Sequence, residues 1–188
     1  MDNKPAPRRF NSEIIINETG KWIFRNNEIK QDKVLNFFKQ NMQEDEEGIY
    51  ILNRYGNFTE IGYLTCKHYP FYIHNYANTS QGLYFEADNG TQFSLDELNL
   101  FLDEKGELFC QKKKEKFLKY RFDRNTSTFL SGFLEEKGEE IELKYKENVY
   151  PIQNFPFTFD VKVPQAYSQN LKENSLPGLS GENSSDRK

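Results

Sequence analysis

Both histidines of the chain and one of its two cysteines lie within nine residues, in the stretch CKHYPFYIH. Histidine and cysteine are common ligands of zinc and frequent participants in acid–base catalysis. The stretch is rich in aromatic residues, which predicts an extended strand with His68, Tyr72 and His74 on one face. At ~3.3 Å per residue the two histidines would be roughly 20 Å apart, too far to share one ion. The sequence therefore predicts a strand here and no metal site.

Other catalytic arrangements find little support in the sequence. Cys66 and His68 would share a strand face, but their spacing puts the β-carbons ~7 Å apart, too far for ready proton transfer. The sequence contains no nucleophile elbow, phosphate-binding loop, dinucleotide-binding glycine motif, zinc-protease motif or Cys-x-x-Cys pair. We therefore expect no cofactor. An enzyme that uses carboxylates or His68 remains an alternative, because a sequence cannot pair distant acidic residues.

Three cations cluster in LKYRFDR. Lys119 and Arg121 fall on one face of a predicted strand, and Arg124 lies at its end, just before a helix. The positive end of a helix disfavours a cation unless a carboxylate or an anion lies between them. An internal salt bridge and the binding of a small anionic ligand are both compatible with this pattern. The candidate ligand-binding residues are Lys119, Arg121, Arg124, His68, Tyr72 and Trp22.

Composition restricts the class of protein further. The 188 residues carry a net charge of −4 with both signs interspersed, which argues against a dedicated nucleic-acid binder. Weak single-stranded nucleic-acid binding remains an alternative, because Phe117 and Tyr120 alternate with lysines. Cys66 and Cys110 form no disulfide framework and are expected in the core. No signal core or membrane span is visible, so we expect a cytoplasmic protein that does not contact membranes.

Local patterns predict the secondary structure. Apolar residues at helical spacing predict one amphipathic helix in DKVLNFFKQNM with Asp32 as N-cap, and a second capped near Asn125 with Leu134 facing inward. Ser94 has capping-box spacing to a glutamate and predicts a short helix through Leu102. The turn signals ETG, YGN and DNG predict β-hairpins between alternating strands.

These elements predict an α+β fold of mostly antiparallel strands with two short amphipathic helices. Two stretches, WIFR to IYIL and YRFDR to EEIEL, both run strand, helix, acidic turn, strand, which suggests two similar units. We expect a first α+β unit at residues 11–95 and a second, packed on it, at residues 96–172. Residues 1–10 are expected to be flexible and residues 173–188 to form a disordered tail, because their composition leaves little to bury.

Four motifs follow one another along most of the chain: ETGKWIFRNNEI, VLNFFKQNM with EEGIYIL, CKHYPFYI and LKYRFDR. In this order they resemble the bacterial domain of unknown function family 1285. The resemblance implies an α+β fold with repeated motifs, no established activity and an involvement in signalling. Members of that family tend to carry an acidic pair before the Pro-Phe of the third motif, where this chain has Lys67 and His68. No role that depends on acids there is carried over.

The expected function is that of a non-catalytic module. The missing catalytic motifs, the family resemblance and an aromatic content of 15% favour a cytoplasmic domain that senses a small ligand or docks a protein in signalling. The expected partner is a small anionic ligand or another protein, and nucleic acid is the weaker alternative.

Overall fold

The computed structural model describes residues 5–155 and 159–168, and about half of these residues form strands in two sheets. Three short helices accompany the strands. Most strand pairings are antiparallel, and three are parallel. This confirms the α+β class expected from the sequence. None of the helices in the described ranges is long and apolar enough to cross a membrane.

The first sheet has six strands in the order β3-β2-β1-β6-β5-β4. The helix α1 connects β3 to β4, so the chain leaves one edge of the sheet and returns at the other. The hairpins β1–β2 and β5–β6 stand at the ETG and YGN turns, as predicted. The elements are β1 Arg8–Ile16, β2 Trp22–Phe24, β3 Asn27–Glu28, α1 Asp32–Gln40, β4 Met42–Glu44, β5 Ile49–Tyr55 and β6 Phe58–Cys66.

The second sheet has nine strands in the order β13-β14-β15-β10-β11-β12-β7-β8-β9. The helix α2 connects β12 to β13, and a short helix α3 follows the last strand. The elements are β7 Phe71–Asn78, β8 Leu83–Ala87, β9 Gln92–Ser94, β10 Leu98–Leu102, β11 Leu108–Lys112, β12 Tyr120–Phe122, α2 Arg124–Ser131, β13 Leu134–Lys137, β14 Glu140–Tyr145, β15 Asn148–Asn154 and α3 Gln165–Ser168.

Six strands of each sheet follow the same path. In the first sheet a parallel pair, β1 and β6, is central, and in the second sheet β10 and β15 form the equivalent parallel pair. On either side the order and the sense of pairing agree, and a helix joins the third strand to the fourth in both. The strands β7–β9 extend the second sheet beyond β12. A duplication of one unit stays a prediction. The strand orders match β12 with β3, whereas the sequence motifs WIFR and YRFDR match β12 with β2, so the two comparisons differ by one strand.

The stretch CKHYPFYIH is not one strand, and that prediction is wrong. Cys66 ends β6 in the first sheet and Phe71 begins β7 in the second, so residues 67–70 cross between the sheets. Pro70 has no N–H for a strand ladder, which favours a break at this point. The backbone of Cys66 exchanges two hydrogen bonds with that of Val161, each with an N···O distance of 2.8 Å. The chain thus changes sheets well before residue 95, where the sequence placed the boundary between units.

Two helical boundaries differ from their predictions. The N-cap of α2 is Asp123, whose side chain accepts a hydrogen bond from the Thr126 amide at 2.8 Å, because a carboxylate there satisfies a free helix N–H. The helix ends before Leu134, which is 36% exposed and begins an edge strand. The capping box at Ser94 is present, but its helix stops after one turn and the chain continues as strand β10.

The first helix and the chain ends also differ from expectation. The N-cap of α1 is Gln31, and Asp32 is its first helical residue. Residues 8–10 belong to β1 and pair with β6, so they are not part of a flexible lead-in. The tail expected at residues 173–188 lies outside the described residues.

One hydrophobic core contains side chains of both sheets. Cys66 and Cys110 are fully buried free thiols within it, which confirms their expected place in the core. Burial raises the pKa of Cys66 to about 12, so this thiol is unreactive at neutral pH. After β15 the chain returns to the first sheet, where Tyr167 stacks on Tyr63 with ring centres 5.1 Å apart. The last described segment therefore holds the two sheets together.

Candidate functional site

A pocket of about 210 Å³ opens between the two sheets where the chain crosses from one to the other. Its walls come from the turn between β1 and β2, the crossing segment, the turn between β10 and β11, and the residues that flank β12 and follow β15. We call it the inter-sheet pocket. Its lining residues are Glu18, Lys67, His68, Tyr69, Asp103, Glu104, Lys105, Glu107, Phe109, Lys119, Phe155 and Phe159.

Lys119 is the buried charge of this pocket. The residue is only 5% exposed, and its Nζ lies 4.4 Å from the ring centre of Phe159 and 5.1 Å from that of Phe155. Within the described ranges it forms no ion pair and no hydrogen bond. Burial lowers the pKa of Lys119, because removing an ammonium group from water disfavours its charged form. Cation–π contacts with two rings compensate only part of that cost.

Several of the other charges around the pocket are engaged, while Glu104 and Lys105 are exposed and form no ion pair within the described ranges. Glu18 accepts a hydrogen bond from Lys67 at 2.8 Å. Glu107 forms an ion pair with Arg121, which is the internal salt bridge that the sequence left open. These carboxylates are therefore engaged at the rim, and the ammonium group of Lys119 has no ion pair within the described ranges, although the more distant Glu44 attracts it.

His68 lies against the β1–β2 turn. Its Nδ1 is 3.4 Å from the hydroxyl oxygen of Tyr72, and burial lowers the pKa of His68. The imidazole is therefore neutral at pH 7. Gly20 in the turn has φ +78°, and a β-carbon there would lie 3.3 Å from both His68 Nδ1 and the Tyr72 hydroxyl. A glycine at this position lets the first sheet close over the histidine.

A fixed turn forms the opposite wall. Tyr69 donates a hydrogen bond to Asp103 at 3.0 Å, and Asp103 also accepts the backbone N–H groups of Lys105 and Glu107, each at 2.9 Å. Burial raises the pKa of Tyr69, so the phenol remains protonated and acts as a donor. The carboxylate of Asp103 is thus committed to holding the turn.

Four of the six residues that the sequence singled out lie together. His68 and Lys119 line the pocket, Tyr72 contacts His68, and Arg121 pairs with Glu107 of the lining. They come from the crossing segment, β7, β12 and the residue just before β12. Their placement beside the pocket makes them candidate ligand-binding residues.

The other two residues lie elsewhere. Trp22 is 5% exposed and stacks on Phe38 at 6.2 Å between ring centres, so it packs in the core of the first sheet. Arg124 is exposed in the first turn of α2. The N-cap residue Asp123 supplies a carboxylate at this helix end, where it accepts the Thr126 amide and forms no ion pair with Arg124 within the described ranges.

Sequence reasoning missed several wall residues. Asp103 and Glu107 belong to the turn between β10 and β11, which the sequence analysis did not single out. Phe155 and Phe159 come from the phenylalanine-rich stretch NFPFTF, and that density was the available signal for an aromatic wall. No local pattern could place these rings beside Lys119, because they are more than thirty residues away along the chain.

Within residues 5–155 and 159–168, no cluster of three or more His, Cys, Asp or Glu side chains could hold a metal ion. His74 is exposed on β7, apart from His68 in the pocket.

One of the two rings proposed for nucleic-acid stacking is buried inside the protein. Tyr120 is 1% exposed and stacks on Phe71 with ring centres 5.1 Å apart. The ammonium groups of Lys112 and Lys116 lie over the protein's own aromatic rings. Tyr120 therefore cannot stack on a base, whereas Phe117 is half-buried, and weak single-stranded nucleic-acid binding stays an alternative prediction.

Comparison with known proteins identifies structures with a similar fold. No protein-family model and no curated protein matches the sequence. Among solved structures, a DUF1285 family protein from Silicibacter pomeroyi matches with a TM-score of 0.59 and 17% identity, over 80% of this chain and 88% of that chain. A DUF1285 family protein from Shewanella baltica matches with a TM-score of 0.45 and 13% identity, over 64% of this chain and 91% of that one, too weakly to add support. The resemblance is confirmed at the level of the fold: the chain has the fold of a DUF1285 family protein.

Proposed function

We propose that the protein is a non-catalytic cytoplasmic module that binds a small anion in the inter-sheet pocket and serves in signalling. The observation that supports it is the ammonium group of Lys119, which is buried at the pocket wall with no carboxylate partner in the described ranges.

The energetic argument starts from the cost of that burial. An ammonium group removed from water is unfavourable unless it is paired, and the effective penalty is several kcal/mol per ion. A carboxylate or phosphate oxygen at Nζ would form a charge-assisted hydrogen bond and offset much of the penalty. Binding would also shift the pKa of Lys119 back upward, since a neighbouring anion favours the charged form.

The size of the pocket restricts the ligand. Its volume of about 210 Å³ is below the ~300–1,000 Å³ of sites for drug-sized molecules. A phosphate ion or a short carboxylate is the expected size. Asp103 holds one wall with three hydrogen bonds, which a large ligand would have to break.

The position of the pocket favours sensing. Glu18 comes from the first sheet, Glu107 from the second, and Lys67 from the segment between them. Glu18 and Glu107 are carboxylates and would repel an anion, so a bound anion would be held by Lys119, just before β12 of the second sheet, and by Lys67 on the crossing segment, and would stabilise the arrangement of these two parts. Ligand occupancy would thereby be transmitted to the packing of the whole molecule.

The test is thermal unfolding of the wild type and of two variants in the presence of phosphate, acetate or malonate. Lys119→Met removes the buried charge, and the exposed Lys114→Met is the control that loses the same charge elsewhere. A ligand at a hundred times its dissociation constant adds ~2.7 kcal/mol, which is several degrees at this size. We expect one of these anions to stabilise the wild type and Lys114→Met but not Lys119→Met.

Equal stabilisation of both variants would contradict the assignment to Lys119. If none of the anions stabilises the wild type, docking of a protein partner becomes the better hypothesis, and capture of a defined partner would be the next measurement.

A further inference from the structure

A second cavity of about 560 Å³ lies between α1 and the face of the first sheet. Gly62 forms part of its wall, and a β-carbon there would lie 3.1 Å from Ser12 Cβ and 3.3 Å from the ring of Phe10. We call this cavity the helix–sheet groove. Its apolar lining residues are Phe10, Ile14, Phe24, Ile29, Val34, Phe38 and Ile51.

The groove lies beside a helix that packs only partly onto its sheet, since Leu35 and Phe38 of α1 contact the core but stay part-exposed. The helix is amphipathic, yet none of its residues is buried. The helix α2, in the equivalent position on the second sheet, buries Thr126 and Leu130, and Phe133 next to it packs edge-on against Tyr145 at 5.6 Å. The apolar side of α1 therefore faces a space that the protein's described side chains leave open.

Some polar groups of the groove have partners in the described protein, and others do not. At the rim, Arg25 pairs with Glu13. Lys30 is exposed, lines the groove and forms no ion pair within the described ranges. Inside, the Oδ1 atom of Asn53 has no hydrogen-bond partner among the described residues. The groove thus combines an apolar interior, one unsatisfied amide and an uncompensated cation at its mouth.

We propose that the helix–sheet groove binds an amphipathic monocarboxylate of the fatty-acid type, with its chain beneath α1 and its carboxylate at Lys30. The volume lies within the ~300–1,000 Å³ range of small-molecule sites. An apolar chain would cover surface that α1 and the sheet otherwise expose to water. The carboxylate of the ligand supplies the oppositely charged partner that Lys30 lacks within the described ranges. The site uses other residues than the inter-sheet pocket and does not depend on it.

Trp22 gives a direct readout, because it is the chain's one tryptophan and stacks on Phe38 of the groove wall. The protein is titrated with hexanoate, octanoate and decanoate below their micelle concentrations while the fluorescence of Trp22 is recorded. We expect a saturable change and an affinity that rises up to ~4-fold per added methylene, as burial of each CH₂ predicts. A change that is linear in ligand concentration or independent of chain length would overturn the proposal.

Two pairs of variants locate the site. Val34→Phe adds a ring on the groove side of α1 and should weaken decanoate binding at least tenfold, whereas Asn36→Phe adds the same ring on the exposed side and should not. Lys30→Met should weaken decanoate but leave decanol unchanged, with the exposed Lys33→Met as its control. Equal effects within either pair, or decanol binding as tightly as decanoate, would show that the groove does not bind a carboxylate as proposed.

Discussion

Lys119 and Arg121 lie two residues apart, and the protein treats their charges differently. Arg121 is paired with Glu107 at the rim of the inter-sheet pocket, whereas Lys119 is buried between two phenyl rings without a carboxylate. A buried unpaired charge lowers the stability of a protein, and replacing it by an apolar side chain is often stabilising. That cost is the residue-level reason for assigning a ligand to Lys119.

Lys119→Met should raise the free energy of unfolding at pH 7 by ~1 kcal/mol, because the variant buries no ammonium group. The pKa of Lys119 is lowered in the folded protein relative to its usual 10.5. At a pH between the lowered pKa of the folded state and the pKa of 10.5 in the unfolded state, Lys119 is protonated only in the unfolded chain. The free energy of unfolding of the wild type therefore rises with pH in this range. The advantage of the variant should therefore shrink between pH 7 and pH 10, measured by urea unfolding. A gap that does not change with pH would show that Lys119 is not desolvated.

At the scale of elements, the helices α1 and α2 differ in how they begin. Asp123 caps α2 through the Thr126 amide, whereas Gln31 at the start of α1 makes no side-chain cap hydrogen bond. The capped helix is also the one that buries side chains, and the uncapped helix stands over the helix–sheet groove. The second sheet thus has the better fixed helix.

Asp123→Ala should lower the free energy of unfolding by ~1 kcal/mol, because the first turn of α2 loses its cap. Asp123→Asn should retain most of the stability, since asparagine is an equally good N-cap residue. Gln31→Ala is the matched control in α1 and should change stability by less than ~0.5 kcal/mol. Urea midpoints of the three variants measure this, and similar losses in Asp123→Ala and Gln31→Ala would disprove the role of the cap.

At the scale of the molecule, one carboxylate links the two sheets. Glu44 ends β4 at the edge of the first sheet, and it accepts the backbone N–H groups of Phe117 and Leu118 at 2.7 Å, together with that of Lys116. Those amides precede β12 of the second sheet. The segment carries Lys119 a residue later, so the same contact positions the floor of the inter-sheet pocket.

Glu44→Ala should lower the free energy of unfolding by ~2–3 kcal/mol, because three amides lose a charged acceptor and part of that surface is shielded from water. The exposed Glu46→Ala removes the same charge from the same acidic segment and should have little effect. Thermal unfolding of both variants is the measurement. If Glu46→Ala were equally destabilising, the effect would belong to the net charge of the segment and not to the contact.

Much of the local structure followed from the sequence. The ETG, YGN and DNG turns predicted three hairpins, and apolar spacing predicted both amphipathic helices, because these patterns act between residues close in the chain. The burial of Cys66 and Cys110 followed from residue type. Two boundaries were predicted wrongly. The cap of α2 is Asp123 and not Asn125, and the chain up to Leu102 is a strand and not a helix, because a capping hydrogen bond and a neighbouring strand decide these boundaries.

The site itself was decided by the tertiary structure. The sequence singled out Lys119, Arg121, His68 and Tyr72 from their types, but it assigned His68 to a strand that the structure divides between two sheets. The parallel pairs β1–β6 and β10–β15 join strands far apart in the chain, and the strand-face rule cannot say which strand is the neighbour. Phe159 meets Lys119 only because the last described segment returns to the first sheet. Residue types set which groups could bind a charge, and long-range packing selected which of them share a pocket.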